Sequence, residues 1–135
     1  MNNNEKRILF VDNDQVNLIV GDMILKNLGH SALLANSGEE AIDIIKNSKS
    51  KIDGIFLDLM MPKIGGFDVL TFMRDSCIII PVVVQTGLIN DNDIEKAKEL
   101  GAVDYICKPY SKEDIRAAIA KMIEFTASRV HQKNQ

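Results

Sequence analysis

Short apolar runs alternate with amphipathic stretches five times along this chain. Arg7 to Val11, Ser31 to Ala35, Gly54 to Asp58, Ile78 to Gln85 and Val103 to Cys107 are β-rich, end in turn signals, and are predicted as strands. Between them lie helical patterns over Gln15 to Leu28, Ser37 to Ser48, Phe67 to Arg74 and Asp91 to Leu100, and a last one from Ser111 onward. Ser37-Gly-Glu-Glu40 has the spacing of a capping box, and Gly29 and Gly101 stand where helices end. Ile115, Ile119, Met122 and Ile123 are the expected inner face of the last helix. Parallel strands need crossovers, and crossovers are right-handed, so the alternation predicts an α/β, doubly wound, five-stranded parallel sheet with helices on both faces. No repeat, low-complexity tract or internal linker interrupts it. The polar residues 1–6 are expected to be frayed, residues 7–127 to form one domain, and residues 128–135 to be a polar tail.

The first helix is read less directly. Val16, Ile19, Val20, Met23 and Ile24 share a face and are the expected inner side. Leu18 and Leu25, seven residues apart, then fall outside. Two outward leucines are ordinary on a surface; the sharper reading is a docking surface for a partner helix.

The 135 residues suit one core, and 46% hydrophobic content is that of a globular chain. A net charge of −3 gives no basic field for nucleic acid or an acidic membrane. The longest apolar run, Cys77 to Val84, is broken by Pro81 and is too short to span a bilayer, so no membrane segment is expected. Two cysteines without a signal peptide point to reduced, buried thiols and a cytoplasmic setting. His30 in a turn and His131 in the tail are expected to be plain surface residues.

The chemistry gathers at the strand ends. Strand one gives Asp12, Asn13 and Asp14; strand three gives Asp58; strand four gives Thr86; strand five gives Lys108. In a sheet of order 2-1-3-4-5 these ends share one rim, with the switch point between strands one and three. Clustered carboxylates call for a cation, and oxygen donors without His or Cys favour Mg²⁺. A carboxylate, a divalent ion, a lysine and a hydroxyl make a phosphoryl site, with an acyl phosphate on Asp as product.

Ile8-Leu-Phe-Val-Asp12 with its acidic follow-on, Asp58-Leu-Met-Met-Pro62, Thr86-Gly87 and Tyr105-Ile-Cys-Lys108-Pro109 together resemble the receiver domains of two-component response regulators. The likeness covers residues 7–127. Asp-Asn-Asp-Gln-Val-Asn17 looks most like receivers of hybrid sensor histidine kinases. The resemblance implies a flavodoxin-like receiver fold. It implies that Asp58 accepts a phosphoryl group from a histidine kinase or histidine phosphotransfer protein. Asp12, Asp58 and the Met60 backbone carbonyl would hold Mg²⁺, and Lys108, followed by a cis proline, would contact the phosphoryl group. Thr86 would join Asp58 and Lys108 in the catalytic set, and Thr86 and Tyr105 would be the switch. Leu18 and Leu25 would lie on the helix that meets the phosphodonor. Such a domain is not a conventional enzyme; it catalyses its own phosphorylation and dephosphorylation. Its output would pass through a partner that the sequence does not name, or through further domains outside these residues.

One departure matters. Receivers usually carry two acids after strand one, and Asn13 stands at the second. Its carbonyl is a neutral ligand, so Mg²⁺ affinity is expected to be weakened. Asp14 is expected to be an N-cap, with a swing into the metal site as the other reading. Two further readings stay open. One is a degenerate receiver that binds partners without phosphorylation. The other is a haloacid-dehalogenase-like phosphatase using Asp12 and Asp14, which leaves Asp58 without a role.

Overall fold

The computed structural model describes residues 4–87 and 90–133, with side chains as far as residue 130. Strands β1 (Arg7–Val11), β2 (Ser31–Ala35), β3 (Gly54–Asp58), β4 (Val82–Thr86) and β5 (Asp104–Cys107) form one parallel sheet in the order β2-β1-β3-β4-β5. Helices α1 (Gln15–Asn27), α2 (Gly38–Ser48), α3 (Gly66–Asp75), α4 (Asp91–Glu99) and α5 (Lys112–Lys133) cover it, with a 3-10 turn over Lys49–Lys51. The predicted doubly wound sheet is therefore present.

The core has two layers, one on each face of the sheet. Leu9, Val11, Ile55, Leu57, Val82 and Val84 face α2, α3 and α4. Ile8, Phe10, Phe56, Val83 and Ile106 face α1 and α5. The period of two along each strand produces this division, and burial on both faces explains the near-continuous apolar runs.

Helix α1 reverses the sequence reading. Leu18 and Leu25 are 3% and 0% exposed, whereas Val16 and Met23 are 66% and 64% exposed, with Ile19 and Val20 exposed beside them. The outward placement of Leu18 and Leu25, and with it their docking role, is thus corrected. The reason lies in Gly21, between the two leucines. A Cβ there would meet the Phe10 ring at 2.6 Å, so the glycine lets α1 lie close on β1. Leu18, Gly21, Leu25 and the partly buried Leu28 form a stripe in steps of three and four, and a glycine adds nothing to a count of hydrophobes. Of the expected inner residues, Ile24 packs against the core.

Smaller differences have local causes. The fourth strand starts at Val82, not Ile78, because Pro81 has no N–H to give the ladder. Ile123 is 44% exposed, and Ala118 takes its place on the inner face of α5. The polar stretch from Ser128, expected as a tail, continues α5 to Lys133. At the other end Lys6 is anchored: its N–H donates to His30 Nδ1 at 2.9 Å and its carbonyl accepts from Ser31. His30 is thus half-buried and bonded, not a plain surface residue. Residues 1–3 and the His131 side chain lie outside what is described. Cys77 is exposed and Cys107 half-buried, so the thiols are free but neither is fully enclosed. No helix among the described residues is long and apolar enough to cross a membrane.

Candidate functional site

The residues that end β1, β3, β4 and β5 converge on one rim. Strand β3 is buried along its whole length, and Asp58 at its end is 2% exposed. Gly66 opens α3 directly against it; a Cβ there would meet the Asp58 carbonyl oxygen at 2.6 Å. Asp12, one residue past β1, is fully buried. Lys108 Nζ stands between the two acids, 2.8 Å from Asp12 Oδ2 and 3.1 Å from Asp58 Oδ2. The Lys108–Pro109 peptide is cis, as the resemblance implied. An open depression of about 380 Å³ lies over this group, lined by Asp12, Asn13, Asn17, Asp58, Met60 and Lys108 among others.

The electrostatics follow from burial and mutual charge. Burial pushes the Asp58 carboxyl above the ordinary range. The Met60 N–H, donated to Oδ1 at 3.0 Å, and the Lys108 charge pull it down, while Asp12 adds to the rise. The net effect is upward. Burial alone would lower the Lys108 ammonium, but its hydrogen bond to Asp12 and the charges of Asp58 and Asp12 outweigh it and hold the ammonium above its usual value. Two acids and one ammonium leave the site negative, so a further cation is favoured there.

The oxygen donors fit Mg²⁺, which takes one or two carboxylates and keeps several waters. Asp12 and Asp58 supply the charge, and the Met60 carbonyl and the exposed Asn13 are the neutral donors nearby. Among the described residues no group of three or more His, Cys, Asp or Glu could hold a metal ion. Water or substrate phosphate would complete the shell of an ion held there. Asp14 is engaged elsewhere. Its Oδ1 caps α1 by accepting from the Val16 N–H at 2.9 Å, and its own N–H donates to Asp12 Oδ1.

The response regulator receiver domain model matches residues 8–120. The chain belongs to this family. The receiver is 33% identical over 132 residues to the alkaline phosphatase synthesis transcriptional regulatory protein PhoP of Bacillus subtilis, covering 96% of this chain and 54% of that protein. It is 30% identical to the response regulator SaeR of Staphylococcus aureus, covering 93% of this chain and 54% of SaeR. The chain thus spans about half the length of the curated relatives it matches. Among solved structures, a response regulator receiver domain protein from Clostridium thermocellum superposes with a TM-score of 0.85 at 27% identity, over 90% of this chain and 97% of that one. A two-component response regulator from Clostridium difficile gives 0.80 at 29%, over 88% and 96%.

Within the receiver, Thr86 closes β4 and Tyr105 lies in β5. Thr86 is buried at the end of β4, and its carbonyl accepts from the Lys108 N–H at 2.9 Å. Tyr105 is half-buried and packs with the α2, α3 and α4 layer, with Lys98 Nζ 5.9 Å from its ring. Two residues near the site escaped the sequence reading. Tyr110 packs edge-on against Phe10 at 6.0 Å and donates from its hydroxyl to the Asn17 carbonyl at 3.4 Å, tying the segment after β5 to α1. Burial and then the charges of Asp12, Asp58 and Asp14 push its phenol upward. Gln85 is the other, and its signal was visible: a polar residue closing the otherwise apolar run that ends β4.

Proposed function

We propose that this receiver domain accepts a phosphoryl group on Asp58 from a phosphohistidine of a histidine kinase or histidine phosphotransfer protein, with Mg²⁺ as assisting ion. The observation that carries this reading is one ammonium, Lys108 Nζ, held within 2.8 Å of Asp12 and 3.1 Å of Asp58 at the open end of the sheet. An Asp58 oxygen bonds to phosphorus and the P–N bond to the imidazole breaks. The electron pair stays on the ring nitrogen, which takes up a proton. Such transfers gain most from positioning and from positive charge around the equatorial oxygens. Lys108 supplies one charge there. Mg²⁺, when bound, neutralises the remainder, with Asp12, Asp58 and the Met60 carbonyl as the residues that would hold it and Asn13 as a weaker neutral donor. Thr86 then draws toward the phosphoryl oxygens and Tyr105 follows, altering the surface of α4, β5 and α5.

The first helix still serves the phosphodonor, but through its other side. Val16, Ile19, Val20 and Met23 are exposed, and this strip starts one turn from Asn13 at the mouth of the site. A donor helix laid on it brings its phosphohistidine to the rim. The net charge of −3 gives the domain no field for nucleic acid, so its output passes by protein contact. A cytoplasmic location goes with that role.

Incubation with Mg²⁺ and acetyl phosphate or phosphoramidate, read by intact mass, tests the reading. A phosphate adduct that disappears in Asp58→Asn supports it. No adduct, together with no beryllofluoride-induced spectral shifts, supports a phosphorylation-independent binding module. Label on Asp12 supports a phosphatase, a reading already weakened by the use of Asp14 as N-cap.

A further inference from the structure

Gln85 is a polar side chain at a position where burial calls for an apolar one. It is 0% exposed, inside β4, next to Thr86. Its Nε2 donates to the Val11 carbonyl at 3.1 Å. That carbonyl belongs to β1, which is separated from β4 by β3. Gln85 is the register partner of Asp58, and register partners in a parallel pair project from the same face. The side chain therefore crosses β3 on the Asp58 face and grips β1 at the residue before Asp12. Rotating the amide by half a turn would set Oε1 against the Val11 oxygen, so the bond fixes its orientation. Oε1 is then left buried with no hydrogen-bond partner among the described residues. An unpaired buried acceptor costs free energy, and an apolar side chain of the same shape would avoid that cost. Packing alone does not explain the amide.

We infer that Gln85 is a positioning residue for the cation half of this site. It holds the end of β1 so that the Asp12 carboxylate is presented beside Asp58. It acts through the Val11 backbone and touches neither the ion nor the phosphoryl group. The demand on Asp12 is high in this chain, because Asn13 is neutral and Asp14 caps α1. The inference rests on the receiver reading in taking Asp12 as a cation ligand.

The test compares the full chain with Gln85→Met, titrating Mg²⁺ by calorimetry and measuring Asp58 labelling by acetyl phosphate across Mg²⁺ concentrations. The variant should bind Mg²⁺ about tenfold more weakly, the usual scale for a lost supporting partner. Its half-saturating Mg²⁺ should rise in step, while the rate at saturating Mg²⁺ stays within about twofold and thermal stability is equal or higher. Unchanged Mg²⁺ affinity in the folded variant overturns the inference, as does a lower maximal rate at the same half-saturating Mg²⁺. Should Gln85→Met not fold, the side-chain NH₂ resonances of wild-type Gln85 decide the matter. They should shift as Mg²⁺ fills the site, and their failure to move overturns the inference. Gln85-dependent Mg²⁺ binding in a protein that takes no phosphoryl group would uphold it and overturn the phosphoacceptor reading instead.

Discussion

On the α1 and α5 face of the sheet, Asp12, Asp58 and Gln85 are buried above Phe10 and Phe56. On the opposite face, Tyr105 lies level with Leu57 and Val84, and Thr86 lies beyond them at the end of β4, toward α2, α3 and α4. Adjacent residues part company: Gln85 lies on the face of the acids and Thr86 on the other; Ile106 packs under one face and Tyr105 against the other. A strand period of two makes this division possible without any loop or second domain. On the proposed reading, phosphoryl transfer would take place on one side of the sheet and its readout on the other. The backbone links them, as where Lys108 donates its N–H to the Thr86 carbonyl.

The most forceful way to break this comparison is to disturb the layer under the acids. Leu25→Ala should cost about 2–5 kcal/mol in urea unfolding, as for a fully buried leucine. Met23→Ala on the same helix should cost no more than about 0.5 kcal/mol. Equal losses would return Leu25 to the outside of α1. Next come the two sides of the site. Lys108→Gln should slow labelling of Asp58 by about a hundredfold, the scale for one lost charge-stabilising donor. Thr86→Ala should leave labelling and Mg²⁺ affinity near wild type while abolishing beryllofluoride-induced shifts around Tyr105. If Thr86→Ala slows labelling as much as Lys108→Gln, the faces do not divide the work.

Asn13→Asp sharpens the charge argument. A unit charge at about 4 Å is worth roughly 4 kcal/mol gross at an effective dielectric near 20, and most of that offsets repulsion, so about tenfold tighter Mg²⁺ binding is expected. Equal affinities by calorimetry or NMR would show that Asn13 costs nothing. Asp58→Asn reports the electrostatic strain directly. The folded-state value of Asp58 is raised, so the native state binds more protons than the unfolded state between the ordinary carboxylate value and the raised one. Stability contributed by this group therefore falls as pH rises through that window. The variant should melt higher than wild type at pH 7, with the gain vanishing in acid. A constant gain at every pH would assign it to packing instead.

The smallest effect belongs to His30, far from the acids. Burial and then Lys6 hold its imidazole below the usual value of 6.5. The neutral form accepts the Lys6 N–H, so its contribution is complete above 6.5 and is lost as pH falls from there toward the lowered value. His30→Phe should remove that slope from a pH series of melting curves. A slope that persists would place it in another group.

Much of the fold was legible because its signals are local. Each strand ends at a turn signal, and Ser37, Gly29 and Gly101 mark helix ends that the structure shares. The site was legible because strand ends in a doubly wound sheet share a rim, so Asp12, Asp58, Thr86 and Lys108 could be gathered by position alone. What escaped depends on neighbours distant in sequence. The inner face of α1 is decided by Phe10 receiving Gly21, and a count of hydrophobes on α1 favours the wrong side. Gln85 means little until its amide is seen reaching Val11 across a strand, 74 residues away. The sequence by itself determined the order of elements and the chemistry at their ends, since both follow from residue type and period. Only the tertiary structure decided which side of α1 is free and what supports Asp12, because close packing and buried hydrogen bonds depend on the partner as much as on the residue.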